Sequence, residues 1–110
     1  MTFETVCQLD DIIPGTGVCA LVNGQQIALF RPRSDETVYA IDNQDPFAKA
    51  NVLSRGLVAE HQGELWVASP LKKQRFSLTT GQCLEQSNLS LRTYAVQVTA
   101  NRVAVSTQNS

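Results

Sequence analysis

Residues 17–30, GVCALVNGQQIALF, decide the fold class of this chain. Two apolar segments rich in β-formers, 17–22 and 26–31, flank the pair Asn23-Gly24. An Asn-Gly pair tolerates the positive φ angles of a type I′ turn, which joins two antiparallel strands without splaying them. The stretch therefore predicts a β-hairpin.

The same pattern continues on both sides of this hairpin. Apolar and polar residues alternate with a period of two, whereas no segment of helical length carries an apolar face with a period near 3.6. Turn-forming pairs recur at Gln62-Gly63, Thr80-Gly81 and Ala100-Asn101. Strands are predicted at 5–9, 17–22, 26–31, 37–42, 57–61, 65–68, 75–78, 92–99 and 102–106. Short strands joined by tight turns predict an all-β fold, an antiparallel sandwich or small barrel.

Chain length and composition predict one compact domain. The composition, 43% hydrophobic and 17% charged, is typical of a globular protein. A length of 110 residues is enough for one domain and too short for two. We therefore expect a single domain over 1–110. The chain contains no run of about 18 apolar residues, as a membrane span would require, and its first residues lack the basic region and apolar run typical of a signal peptide. We expect a cytoplasmic protein that does not contact membranes.

Charge and titratable residues exclude several classes of function. A formal net charge of −1 argues against a nucleic-acid-binding protein. The three cysteines, Cys7, Cys19 and Cys83, are widely spaced without a CxxC pair, so we expect reduced thiols with no metal or disulfide role. His61 is the single histidine, and no Ser or Cys stands in a recognisable nucleophile setting. The sequence predicts no catalytic centre and no metal site.

Two segments interrupt the succession of strands. The first, 43–56 (NQDPFAKANVLSRG), is a long irregular connection in which we expect one short helical turn. The second, 69–75, lies in SPLKKQRF and carries Lys72, Lys73 and Arg75. If the flanking strands pair, the two loops lie side by side at one end of the sheets. Loops on a rigid β scaffold commonly carry binding, so we expect the functional surface there.

The order of motifs resembles that of the Rieske-type domain family. The motifs are YAIDN at 39–43, Ser-Pro at 69–70, RFSLTTG at 75–81 and LRTYAV at 91–96, and together they cover nearly the whole chain. Rieske domains hold a [2Fe-2S] cluster with two Cys and two His, supplied as CxH and CxxH. The resemblance implies antiparallel sheets with a subdomain whose two loops, about 43–56 and 69–75, correspond to the cluster-binding loops.

The cluster ligands of that family are replaced in this chain. The resemblance places Asp45 and Phe47 at the CxH positions, and Ser69 and Lys72 at the CxxH positions. Phe47 has no donor atom, and a lysine ammonium has no lone pair to offer iron. Asp45 and Ser69 offer hard oxygens where iron-sulfur clusters take thiolate and imidazole. The resemblance therefore implies a degenerate cluster-binding subdomain that binds no cofactor.

A narrower resemblance is to the small subunit of the assimilatory NAD(P)H-dependent nitrite reductase. The motifs are NQDPF at 43–47, NVLSRG at 51–56 and SPLKKQRF at 69–76. The resemblance implies a cytoplasmic partner of a large subunit that carries FAD, an iron-sulfur cluster and siroheme, and that reduces nitrite to ammonium. This chain is then a non-catalytic subunit of an oxidoreductase. The alternatives are a Rieske-type ferredoxin that carries electrons, or a free-standing β-domain that binds nucleic acid or a small ligand.

Two hypotheses follow for the emptied cluster site. In the first, Phe47 and Leu71 pack into the vacated region, while Asp45 and Lys72 attract each other. In the second, four cations form a basic tip that contacts an acidic rim of the large subunit and sets its orientation. The partner-binding candidates of this tip are Arg55, Lys72, Lys73 and Arg75.

Overall fold

The structure is a computed structural model that describes residues 2–108, and this part of the chain is all-β. It contains two 3-10 helices, Leu9–Asp11 and Leu53–Arg55, and eleven strands. The strands are β1 (Glu4–Gln8), β2 (Thr16–Val22), β3 (Gln25–Arg31), β4 (Tyr39–Asp42), β5 (Gln44–Asp45), β6 (Ala50–Asn51), β7 (Leu57–His61), β8 (Glu64–Ala68), β9 (Arg75–Ser77), β10 (Thr93–Thr99) and β11 (Arg102–Ser106). The predicted fold class is confirmed.

Every predicted strand has a counterpart, with ends that differ by at most two residues. The hairpin at 17–30 forms as expected: β2 and β3 pair in antiparallel register around Asn23 and Gly24, whose φ angles are 49° and 76°. Two positive φ angles are those of a type I′ turn. The sequence missed β5 and β6, because two-residue strands inside an irregular loop leave no periodic pattern. The expected helical turn in this loop is the 3-10 helix Leu53–Arg55.

Six strands form one antiparallel sheet in the order β1-β11-β10-β4-β3-β2, which curls into a nearly closed barrel. Its interior is an apolar core that includes Ile27, Leu29 and Val103. Buried Arg31, the last residue of β3, connects that strand to the segment that follows β1. Its guanidinium donates to the carbonyl oxygens of Leu9 (3.3 Å) and Ile12 (3.1 Å). Arg31 therefore has a structural role.

Strand β3 is apolar on both faces because it separates two cores. Ile27 and Leu29 face the barrel interior, whereas Ala28 and Phe30 face the opposite way. This second face packs against a smaller antiparallel sheet in the order β7-β8-β9, which contributes Val67 and other buried residues. The continuous apolar run at 27–30 is therefore explained by burial on both sides, and it fixes where the smaller sheet sits.

The first loop makes a close contact with the barrel at Gly17 on β2. A Cβ atom at this position would lie 2.7 Å from ring carbons of Phe30 and 2.8 Å from the carbonyl oxygen of Ser54. Only glycine lets the 3-10 helix of the first loop approach the barrel this closely. Within residues 2–108, no helix is both long and apolar enough to cross a membrane.

Candidate functional site

The two loops, 43–56 and 69–75, meet beside the smaller sheet, as the sequence predicts. The first follows β4 of the barrel, and the second connects β8 to β9. They are joined by the side chains of Asp45 and Ser69, which are both buried and hydrogen-bonded to each other. We call the two loops together the tip.

Asn43 organises the first loop. Its backbone N–H donates to the carbonyl oxygen of Gln26 (3.1 Å), and its carbonyl oxygen accepts from the N–H of Leu53 (3.0 Å). Its side-chain amide accepts from the N–H of Ser54 (2.8 Å) and donates to the carbonyl oxygen of Asn51 (3.2 Å). Asn43 is buried with all four polar groups paired, so both ends of the loop are fixed to the end of β4.

Asp45 sits at the centre of the tip, with its carboxylate fully buried. Oδ1 accepts from the backbone N–H groups of Phe47 (2.8 Å) and Ala48 (3.2 Å). Oδ2 accepts from the hydroxyl of Ser69 in the other loop. Burying a charged group without partners is costly, whereas three donors offset that cost. Asp45 therefore shapes its own loop with one oxygen and holds the second loop with the other.

Ser69 organises the second loop. Its N–H donates to the carbonyl oxygen of Gln74 (2.9 Å), and its carbonyl oxygen accepts from the N–H of Lys73 (3.1 Å). Its hydroxyl oxygen also accepts from the N–H of Leu71 (3.3 Å). The turn requires a positive φ of 68° at Lys73. Ser69 thus closes the loop into a tight extension of the β8–β9 hairpin.

Phe47 fills space between the loops and the smaller sheet. Its ring packs against Phe76, with ring centroids 6.4 Å apart and planes tilted by 41°. It also lies against the apolar core shared by the barrel and the smaller sheet. The expectation that Phe47 packs inward is confirmed.

The same expectation is wrong for Leu71, whose residue surface is 55% exposed. Hydrogen bonds from Leu71 N–H to Ser69 and from Lys73 N–H to Ser69 fix the turn that contains it. Leu71 therefore stays in solvent, because the centre of the tip is occupied by Asp45, Ser69 and Phe47.

The expected attraction between Asp45 and Lys72 is also wrong. Lys72 is exposed, and the two ion pairs among residues 2–108 are Arg33–Glu60 (2.9 Å) and Arg75–Glu85 (2.7 Å). Bringing the Lys72 ammonium to Asp45 would remove it from water, which costs more than leaving it solvated. Neutral donors satisfy Asp45 instead.

The four partner-binding candidates differ in their surroundings. Arg55 ends the 3-10 helix of the first loop, and Lys72 and Lys73 lie in the second; all three are exposed. Arg75 instead pairs with Glu85, donating from its backbone N–H (2.8 Å) and from Nε (2.7 Å). Burial alone would raise the pKa of Glu85, but these Arg75 donors outweigh it and hold that pKa below its usual value. The charge of Arg75 is therefore largely compensated.

A further polar cluster, which the sequence did not predict, joins β4 to β10. The Tyr94 hydroxyl donates to Asp42 Oδ1 (2.6 Å), and the backbone N–H of Arg92 donates to Asp42 Oδ2 (3.2 Å). The Arg92 guanidinium carbon lies 4.6 Å from the centroid of the Tyr94 ring. Burial first, and Asp42 second, raise the pKa of Tyr94, so the phenol stays protonated at neutral pH. The motifs YAIDN and LRTYAV contain these residues, and their role here is structural.

Comparisons with known proteins agree on one family. A sequence profile of the Rieske-like [2Fe-2S] domain matches residues 2–106. The NADH nitrite reductase small subunit of Salmonella typhimurium is 59% identical over 96 residues, which are 87% of this chain and 89% of that protein. The solution structure of the nitrite reductase [NAD(P)H] small subunit from Erwinia carotovora is 65% identical with a TM-score of 0.84, covering 98% of this chain and 83% of that one.

A third relative has a different size. The nitrite reductase [NAD(P)H] large subunit of Klebsiella oxytoca is 41% identical over 106 residues, which are 96% of this chain but 11% of that protein. A counterpart of this chain is therefore contained in a much longer polypeptide.

The tip does not fit the cluster that gives the domain family its name. Loops 43–56 and 69–75 contain no Cys or His, and the buried side-chain oxygens of Asp45 and Ser69 are bonded to each other. Cys7 and Cys19 lie on β1 and β2 of the barrel, Cys83 is buried in the shared core, and His61 ends β7. No three His, Cys, Asp or Glu side chains within residues 2–108 are grouped to hold a metal ion. The positions that the resemblance assigns to the two cluster cysteines are instead joined by the Asp45–Ser69 hydrogen bond.

The Asp45–Ser69 hydrogen bond predicts coupled losses of stability. Ser69→Ala should lower the free energy of unfolding by about 1–3 kcal/mol, because Asp45 Oδ2 loses its partner in a buried site. Asp45→Ala should lower the free energy of unfolding by more than Ser69→Ala does, since three donors lose their acceptor. In urea unfolding, the double variant should reveal a coupling energy of about 0.5–3 kcal/mol. Ser87→Ala, at an exposed serine, is the control. Additive single losses would show that the bond contributes nothing.

Phe47 and Lys72, which the resemblance places at the two cluster-histidine positions, should contribute differently to stability. Phe47→Ala should lower the free energy of unfolding by about 1.5–3 kcal/mol, because the ring leaves the shared core. Lys72→Ala should change it by less than about 0.5 kcal/mol, as for other exposed positions. Thermal and urea unfolding measure both. Equal losses in the two variants would contradict the assigned packing.

Proposed function

Because the chain belongs to the Rieske-like [2Fe-2S] domain family and, within it, to the nitrite reductase small subunits, we propose that it is the small subunit of an NAD(P)H-dependent nitrite reductase. It assists a large subunit in the six-electron reduction of nitrite to ammonium. The observation that carries this proposal is the extent of the match to small subunits, which covers 87–98% of this chain. The chain is part of an oxidoreductase and supplies no catalytic residue of its own.

The Klebsiella oxytoca relative supports a large subunit as the partner. That protein is named as a large subunit and contains a counterpart of this chain within its own polypeptide. Covalent linkage holds two parts of a protein together at a high effective concentration. A separate small subunit lacks this advantage, so it needs a surface that binds the large subunit directly.

The tip supports a role in docking over one in electron transfer. Asp45 and Ser69 use their oxygens to hold the two loops together, and Phe47 packs into the core, so none of these positions offers a ligand for iron. In this proposal FAD, the iron-sulfur cluster and siroheme are bound by the large subunit in the cytoplasm. Residues 1–110 act as a single domain without a cofactor.

The exposed cations of the tip are the proposed contacts with an acidic rim of the large subunit. Lys72 and Lys73 stand next to each other in the second loop, and Arg55 ends the helix of the first. Arg75 belongs to the same surface but is already paired with Glu85, so it contributes less charge. Such charges mainly set orientation and association rate.

The alternative function is a Rieske-type ferredoxin, which carries electrons on a [2Fe-2S] cluster. It is disfavoured because the four ligand positions hold Asp45, Phe47, Ser69 and Lys72. A free-standing β-domain that binds nucleic acid is disfavoured by the net charge of −1. These alternatives differ from the proposed function in iron content and in binding partner.

The proposed function is tested by removing and restoring this chain. The large subunit of the same organism should oxidise NADH in a nitrite-dependent manner severalfold faster, or remain stable for longer, when this chain is present. The purified chain should be colourless and contain no iron. The control is an unrelated β-domain of similar size. A brown, iron-containing preparation would favour the ferredoxin, and an unchanged assay together with no co-purification would contradict a subunit role.

Charge reversal tests the basic surface of the tip. The variant Lys72→Glu/Lys73→Glu should bind the large subunit at least about tenfold more weakly at low salt, and the difference should shrink as ionic strength rises. Arg102→Glu, at an exposed position on β11 of the barrel, is the control. Binding is measured by surface plasmon resonance at two salt concentrations. Equal association rates for wild type and the double variant would exclude these lysines as contacts.

A further inference from the structure

The smaller sheet has two faces of different character. Its register places one row of residues on the face that packs against the barrel, and the neighbouring row on the opposite face. The packed row is Val58, Val67, Phe76 and Cys83, all of which belong to or lie against the shared core. The opposite row is Leu57, Ala68, Arg75 and Leu84, in which Leu84 joins because its N–H donates to the carbonyl oxygen of Arg75 (2.8 Å).

Three of the four residues in this opposite row are apolar, and its two leucines are exposed. Leu57 is 78% exposed and Leu84 is 37% exposed, and Ala59 on the same face is also exposed. Arg75 stands in the row, but its charge is offset by Glu85. We call Leu57, Ala59, Ala68 and Leu84 the Leu57 face. It presents leucine side chains to water with no uncompensated charge among them.

The Leu57 face runs directly into the tip. Ala68 pairs with Arg75, and the next pair along the hairpin is Ser69 with Gln74, linked by a 2.9 Å hydrogen bond. The turn 70–73 beyond it carries exposed Leu71 together with Lys72 and Lys73. An apolar area with a charged margin is the composition of a protein–protein interface.

Other exposed apolar residues do not form such an area. Within residues 2–108, the remaining large ones are Ile13 and Leu21, which are 68% and 69% exposed. Ile13 precedes β2 and Leu21 lies near its far end, so they are separated by the length of that strand. Single exposed apolar residues are normal on a protein surface. Leu57, Leu71 and Leu84 are instead concentrated on the smaller sheet and its tip.

We propose that the Leu57 face is the apolar centre of the surface that binds the nitrite reductase large subunit, with Lys72 and Lys73 at its margin. This inference rests on the proposed function and names the surface that it uses. Its partner surface is a shallow apolar patch beside carboxylates, because the lysines require acidic counterparts. The lysines set orientation, and the leucines supply the contact that is removed from water.

The test compares two exposed leucines on strands. Leu57→Asp places a charge in the centre of the proposed interface, whereas Leu21→Asp places the same charge at a similarly exposed position on β2 of the barrel. Binding of each purified variant to the purified large subunit is measured by biolayer interferometry. Leu57→Asp should raise Kd at least about tenfold, as expected for the centre of an interface. Leu21→Asp should leave Kd within about twofold of wild type. Leu57→Met, which keeps the position apolar, should also bind with a Kd close to that of wild type.

The outcomes separate the inference from the proposed function. If wild type binds and Leu57→Asp binds as tightly as Leu21→Asp, the Leu57 face is excluded while the subunit role stands. If wild type does not bind the large subunit, the subunit role itself is wrong, and the inference with it. Melting temperatures confirm that the variants are folded, and Leu84→Asp replaces Leu57→Asp if that variant melts early. A wild-type dimer that Leu57→Asp abolishes would assign the face to self-association and overturn the inference.

Discussion

The hydrogen bond between Ser69 and Asp45 is the interaction on which the tip depends. A buried carboxylate is tolerated only where its oxygens find donors, and Asp45 takes two from its own loop and one from the other. Asp45 and Ser69 are 24 positions apart in sequence. A metal cluster joins two such loops by coordination in the wider family. Here the two cysteine positions implied by the resemblance are joined by a hydroxyl and a carboxylate.

The barrel determines where this link forms. Strand β3 is buried on both faces, and the smaller sheet packs against the outer side of β3 and β4. The first loop leaves β4 at Asn43, whose four hydrogen bonds fix its path, and the second extends the β8–β9 hairpin. Rigid elements therefore fix the positions of both Asp45 and Ser69. The packing of Phe47 on Phe76 then closes the space between the tip and the shared core.

The sequence predicts most of this fold because its signals are local. Alternation and the Asn23-Gly24 turn are read from neighbouring residues, and they identify the strands of the barrel and the smaller sheet. The tip depends on partners distant in sequence, which periodicity does not reveal. Charge favoured Lys72 as the partner of Asp45, but burial selects the neutral Ser69 hydroxyl, because it carries a smaller desolvation cost. Leu71 is apolar and exposed, which a contact with another protein would explain.

Amide hydrogen exchange at Phe47 and Ala48 tests most directly whether a hydrogen bond, and no metal, holds the tip. Both amides donate to Asp45 Oδ1, so they report on whether the carboxylate is in place. The account predicts slow exchange in protein purified with a chelator, and identical rates after addition of iron and sulfide. Fast exchange in the chelated protein, slowed by iron, would show that a metal centre holds the loops together and would contradict the account.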